Sequence, residues 1–194
     1  MSVFHVVRLR MRSAIFSTTL SRLFPNRSTN WCPAAYRRFN ATTPSATIPL
    51  LVRAEGSGVA LAVTTAGEKS HSFRTDALPS FGGKDSAPSP LFYVLASLGS
   101  CNQVTASLVA RDLGVRLGAW KLEVQGDLNP QVLVHGTQGN SNFDKVQVRV
   151  TVQSDATSEQ FAQLVAETER RCPISQLFKR SGLQFDNVWE KAPL

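Results

Sequence analysis

No aspartate, glutamate or lysine occurs among residues 1–47, although seven arginines do: Arg8, Arg10, Arg12, Arg22, Arg27, Arg37 and Arg38. The 194-residue chain carries 21 basic and 14 acidic side chains, a net charge of +7. Taking seven arginines from 21 basic residues leaves 14 against 14 acids, so the rest of the chain is neutral. The basic charge therefore does not argue for a nucleic-acid partner. Histidine and cysteine are scarce, three of each, and neither shows metal-ligand spacing, so no metal or cofactor is expected. Gly82-Gly83 lacks the length and the lysine of a phosphate-binding loop and reads as a turn.

The acid-free leader is rich in Ser and Thr, and its arginines alternate with Phe, Leu, Val and Ile, so a transient helix there is amphipathic. Its apolar runs are too short, and too often broken by arginine, for a membrane span or a secretory signal. These features mark an organelle-targeting presequence, drawn by anionic membrane surfaces and a negative-inside potential. The expected organisation is a mitochondrial targeting presequence and linker over 1–45, cleaved after Phe39, and one domain over 46–194. The same composition also suits a disordered basic tail that binds RNA or lipid. Cys32 leaves with the leader. The mature chain then keeps Cys101 and Cys172, 71 residues apart, in a matrix where a static disulfide is disfavoured but a cycling one is feasible.

Along the domain, "LLVRAEGSGVALAVTTAG" reads as two strands turning at Gly56 and Gly58, with a short strand over His71 to Thr75. A turn-rich segment then leads into a long helix from Ser89, with Pro90 in its first turn, to Gly114. That helix is apolar almost all round and is expected to be packed on several sides. "AWKLEVQGDL" and "FDKVQVRVTVQS" alternate as strands, with Val146, Val148, Val150 and Val152 inward, which predicts an antiparallel sheet. Between them "NPQVLVHGTQGNSN" reads as a strand with a loose loop. An amphipathic helix capped by Thr157, a shorter one stopped by Gly182, and a last strand in "LQFDNVWE" complete an α+β fold.

A lone cysteine on a buried helix is ordinarily a small apolar packer. Cys172, before Pro173, is expected to cap the short helix, and the free N–H groups there with Arg170 and Arg171 beside it favour a thiolate. The pair stands in a wider pattern: "FGGKDSAPSPLFYVLASLGSCNQVT", an alternating strand pair, then "ERRCPIS". This resembles the OsmC/Ohr family of thiol peroxidases, in which a G-x-x-P-x-P loop leads into a central helix carrying "LGSC" and a second cysteine precedes proline. The resemblance runs from Leu50 to Trp189. It implies antiparallel sheets around long buried central helices in an intertwined homodimer, and reduction of organic or lipid hydroperoxides. Cys101 would be the peroxidatic thiol and Cys172 the resolving one, their disulfide reopened by a dithiol such as a lipoylated protein.

One departure matters. Cys101 lies too far along its helix for the macrodipole to help, and burial raises a thiol pKa, so it needs another source of activation. The family uses an arginine held by an acid placed one or two residues past the loop's second proline. Leu91 and Phe92 occupy those positions here, and Asp85 in the loop is the available substitute. Arg74 is the first candidate for the arginine and Arg53 the second. The competing expectation is an OsmC-like domain without peroxidase activity that binds a small molecule or lipid. For the leader, a reporter fused to residues 1–50 should be imported into mitochondria and cut near Phe39. A reporter that stays in the cytosol defeats the presequence reading.

Overall fold

In the computed structural model the described residues run from Thr47 to Leu194. The expected presequence, its expected cleavage point at Phe39, and Cys32 lie outside the described residues. The first hairpin pairs β1 (Leu51–Ser57) with β2 (Ala60–Ala66) antiparallel, closing at Ser57 opposite Ala60. Gly58 takes the turn at φ 61°, a left-handed conformation that a side chain disfavours. The short strand expected near 71–75 is present as β3 (Ser72–Thr75), antiparallel to β2. Every residue of β1 is exposed.

The loop from β3 to the long helix is organised by Asp76, which is only 2% exposed. Its carboxylate accepts hydrogen bonds from the backbone N–H groups of Ala77, Lys84 and Ser86 and from the Ser86 hydroxyl, at 2.7 to 3.2 Å. The loop folds back so tightly that a Cβ on Gly83 would sit 1.8 Å from the Ala77 carbonyl oxygen. Gly83 is thus required by contact with backbone, which cannot give way.

Helix α1 (Pro90–Leu113) begins where Ser89 accepts a hydrogen bond from the Leu91 N–H, and Pro90 fills the first turn without losing a needed donor. It ends at Gly114, left-handed at φ 67°. Strands β4 (Leu117–Leu128) and β5 (Phe143–Ser154) pair antiparallel. Val146, Val148, Val150 and Val152 face the core and are at most 2% exposed. Burying one such side chain contributes about 1.5–3 kcal/mol before chain entropy is counted. Leu98 of α1 is fully buried against this stripe. Gly99, next to it, lets α1 approach β4: a Cβ there would meet Leu122 Cδ2 at 2.5 Å.

Helix α3 (Ser158–Arg171) opens with a reciprocal capping box: Thr157 Oγ1 accepts from the Gln160 N–H, and Gln160 Oε1 accepts from the Thr157 N–H. Its Leu164 packs with Ala106, Val109 and Ala110 of α1. Cys172 separates α3 from α4 (Pro173–Arg180), and the chain closes with β6 (Gln184–Ala192).

Two expectations need correction. The segment read as a strand with a loose loop holds a short helix, α2 (Gln131–His135). Its Val-Leu-Val run is too short for periodicity to separate strand from helix. β6 pairs parallel to β5, so the second sheet, ordered β4-β5-β6, is mixed. The crossover that a parallel pair requires is supplied by α3 and α4. As expected, α1 packs on several sides, against β4, α3 and α4, while Phe92, Val94, Val104 and Leu108 on its remaining face are 41% to 61% exposed.

Asp76 should set part of the acid stability. Its pKa is pulled down to about 2, chiefly by the Ser86 N–H, then by the Ser86 hydroxyl and the Ala77 N–H, with burial opposing. A depressed carboxyl stabilises the fold above its unfolded pKa, and that contribution disappears as pH falls through the folded value. Wild type should therefore lose stability from roughly pH 4 down to about 2. Asp76→Ala should melt at lower temperature at neutral pH and show a flatter decline over that window. Equal acid-melting curves for the two proteins would count against this role.

Candidate active site

Cys101 sits mid-way along α1 and is partly exposed, whereas Cys172 is fully buried between α3 and α4. The fold brings them close enough that each influences the other's ionisation, and both are free thiols. Cys172 adopts extended backbone at φ −73°, ψ 113°, as the residue before a proline must, and it caps α4. Its Sγ accepts a hydrogen bond from the Ser175 N–H at 3.4 Å.

A second, fully buried contact joins the same helices. Asn102 Nδ2 donates to the Leu98 carbonyl at 2.8 Å and to Ser175 Oγ at 3.1 Å. Asn102 and Ser175 both have 0% exposure, so this bond is shielded from competing water. Thr168, one turn before Cys172 on α3, is also fully buried, and its Oγ1 has no partner among the described residues.

The two thiols are tuned in opposite directions. Burial is the largest influence on Cys101 and pushes it up, and Cys172 adds to this; the Ile174 N–H and the Thr105 hydroxyl pull the other way. Burial is also the largest influence on Cys172, but there it is overcome. The Ser175 hydroxyl and N–H, the Cys101 thiol and the Ile174 N–H favour the thiolate, and the balance falls below the ordinary thiol value.

The cations expected to help Cys172 are engaged elsewhere. Arg171 pairs with Asp112 of α1 at 2.7 Å, and Arg170 with Glu167 at 2.7 Å. Hydrogen bonds and a helix N-terminus stabilise the Cys172 thiolate in their place. Arg74 is exposed on β3, where its carbonyl accepts a hydrogen bond from the Tyr93 hydroxyl at 2.8 Å. Arg53 is exposed on β1, and neither arginine is among the groups acting most strongly on Cys101. Asp85 is exposed in the loop at φ 53°. Leu91 is partly buried and Phe92 is 57% exposed at the positions where an acid would stand.

The OsmC-like protein family matches residues 83–186, more than half of the 194-residue chain. The chain belongs to that family. Among solved structures, an OsmC-like protein from Mycoplasma pneumoniae superposes with TM-score 0.60 at 18% identity, covering 75% of this chain and 98% of its own. An organic hydroperoxide resistance protein from Elizabethkingia anophelis gives 0.59 at 16% identity, over 76% and 99%. One from Legionella pneumophila gives 0.54 at 19% identity, over 75% and 98%. At these identities the likeness is one of fold, and the OsmC-like α+β architecture is established. Among curated proteins, none matches the chain.

In this OsmC-like chain, sequence reasoning singled out the two cysteines but missed Asn102, Ser175 and Asp76 as parts of the site and its entry loop. One signal was available: Asn102 is an amide on a helix with almost no polar face, and such a group must find a buried partner. Among the described residues no cluster of His, Cys, Asp or Glu could hold a metal, and no helix is long and apolar enough to cross a membrane.

Proposed function

We propose that the protein is a thiol-dependent peroxidase that reduces organic or lipid hydroperoxides through a two-cysteine cycle in the mitochondrial matrix. The observation that carries this reading is the proximity of Cys101 and Cys172, delivered from separate helices in a fold shared with hydroperoxide resistance proteins. Cys101 is the partly exposed member and the one a peroxide can reach. Its sulfur attacks the O–O bond, an alcohol departs, and a sulfenic acid remains. Cys172 then attacks that sulfur, forming a disulfide with loss of water, and an external dithiol, such as a lipoylated protein, restores both thiols. An open groove of ≈ 620 Å³ between α1 and β4 is lined by Phe92, Leu95, Gly99, Ser100, Leu122 and Val124 among others, and Cys101 is not part of its lining.

A second reading is favoured by Leu91 and Phe92 at the acid positions and by the lack of a cation among the main influences on Cys101. There the domain is catalytically silent and binds a small molecule or lipid in the groove. Stopped-flow oxidation of the reduced protein, followed by thiol counting, separates the two. Wild type should react faster with a bulky organic hydroperoxide than with hydrogen peroxide and lose two thiols. Cys101→Ser should abolish consumption, and Cys172→Ser should react once and leave a dimedone-reactive sulfenate on Cys101. Wild type that consumes no organic hydroperoxide with any dithiol, and forms no Cys101–Cys172 disulfide, leaves the binding reading standing.

The working form is proposed to be a homodimer, which would cover the exposed Phe92, Val94, Val104 and Leu108 of α1 and the apolar residues of β1. Light scattering at micromolar concentration should report twice the protomer mass. A stable monomer would exclude the dimer.

A further inference from the structure

On the two-cysteine reading, closing a disulfide requires Cys101 on α1 and Cys172 at the start of α4 to keep one mutual register. Apolar contact alone does not hold a register: Leu98, Ile174 and Phe178 share a cluster there, and methyl contacts tolerate sliding. A polar chain crosses the same contact, with Ser175 as its pivot. The Ser175 N–H donates to Cys172 Sγ at 3.4 Å, and Ser175 Oγ lies 3.1 Å from Asn102 Nδ2 and 3.3 Å from Asn102 Oδ1. Asn102 Nδ2 also donates to the Leu98 carbonyl at 2.8 Å, which fixes the orientation of the amide. Ser175 thus grips one sulfur with its backbone and the chain neighbour of the other with its side chain. Asn102 and Ser175 are both 0% exposed. Burying such a polar pair gains little stability over apolar residues of the same size, but it specifies one arrangement. The outer side of the Cys172 turn is anchored separately. Gln176 Nε2 donates to the Glu169 carbonyl at 2.9 Å, Lys179 pairs with the Glu169 carboxylate, and Asn187 of β6 donates to it at 3.4 Å. Those bonds tie α3, α4 and β6 to one another, and none of them reaches α1.

We propose that Asn102 and Ser175 are positioning residues for disulfide closure, locking α1 against α4 in the register that presents the Cys172 sulfur to Cys101. Closure is the step that depends on this register. The Cys172 sulfur attacks the sulfur of the Cys101 sulfenic acid, the S–S bond forms and the S–O bond breaks. The departing hydroxide takes up the Cys172 proton and leaves as water, so the sulfenic sulfur is reduced as the thiol sulfur is oxidised. Attack of Cys101 on the peroxide comes earlier and needs neither α4 nor its register. The register also sets the effective concentration of one sulfur at the other, a property that can be read without any peroxide.

The test uses the full chain with Cys32→Ser throughout and reads two quantities. One is the equilibrium of the Cys101–Cys172 disulfide against a glutathione redox buffer, which gives the effective concentration of the pair. The other is rapid mixing with cumene hydroperoxide, in which sulfenate formation on Cys101 is separated from its decay into the disulfide. Ser175→Ala and Asn102→Leu should each lower the effective concentration and slow the decay about tenfold, within the range for residues in direct contact, and leave the formation rate unchanged. Ser175→Thr, which keeps the hydroxyl, should recover most of both. The double variant should be no worse than either single one, because the two side chains form one contact. Thr157→Ala uncaps the far end of α3 and should lower the melting temperature without moving either readout. Should Asn102→Leu fail to fold, the comparison of Ser175→Ala with Ser175→Thr decides alone. Variants that melt lower but keep the wild-type effective concentration would overturn the positioning role, as would formation and decay slowed alike. A wild type inert to cumene hydroperoxide, whose glutathione equilibrium still shifts on Ser175→Ala, would defeat the peroxidase reading and leave the positioning role intact. A wild type that forms no disulfide in the glutathione buffer would defeat both.

Discussion

One buried hydrogen bond, from Asn102 on the long helix to Ser175 on the short one, joins residues 73 positions apart and fixes how those helices meet. Everything chemical in the protein sits within a turn of it: Cys101 precedes Asn102, and Cys172 caps the helix that Ser175 enters. A polar contact sealed from water is costly to break, because either partner left alone would be buried without compensation. It therefore acts as a register mark. Apolar packing of the long helix against the valine face of β5 is permissive in register, since one methyl contact resembles the next. A specific donor and acceptor are not interchangeable in that way.

The supporting layers can be traced to the same demand. For Asn102 to reach Ser175, the long helix must lie close to β4, and Gly99 removes the side chain that would hold it off. Its first turn must start at a defined point, which the Asp76-centred loop and the Ser89 cap provide. The ion pair between Arg171 and Asp112 ties α3 to the far end of the same helix.

Much of this architecture is readable from residue patterns. Alternating valines mark β5, Pro90 and Gly114 bracket the long helix, and Thr157 with Gln160 marks the start of α3. Those signals are local, and local signals survive folding. What was not readable depends on partners distant in sequence. The pairing direction of β6 is decided by the crossover before it. The buried role of Asp76 depends on Ser86, ten residues on and across a tight loop. Arg170 and Arg171 look like activating charges when only Cys172 is in view, and lose that role once Glu167 and Asp112 are found beside them. The proximity of the two cysteines was accessible only through resemblance, since nothing in their separation specifies contact.

The parallel alignment of β5 and β6 also bears on the order in which the chain can assemble. The hairpin of β1 and β2 and the antiparallel pair β4–β5 close loops short enough to form early, because loop-closure entropy grows with length. β6 has no partner until the whole crossover of α3 and α4 has settled against the long helix. The turn that carries Cys172 lies inside that crossover, so the same segment that brings β6 to its place beside β5 also carries the second sulfur.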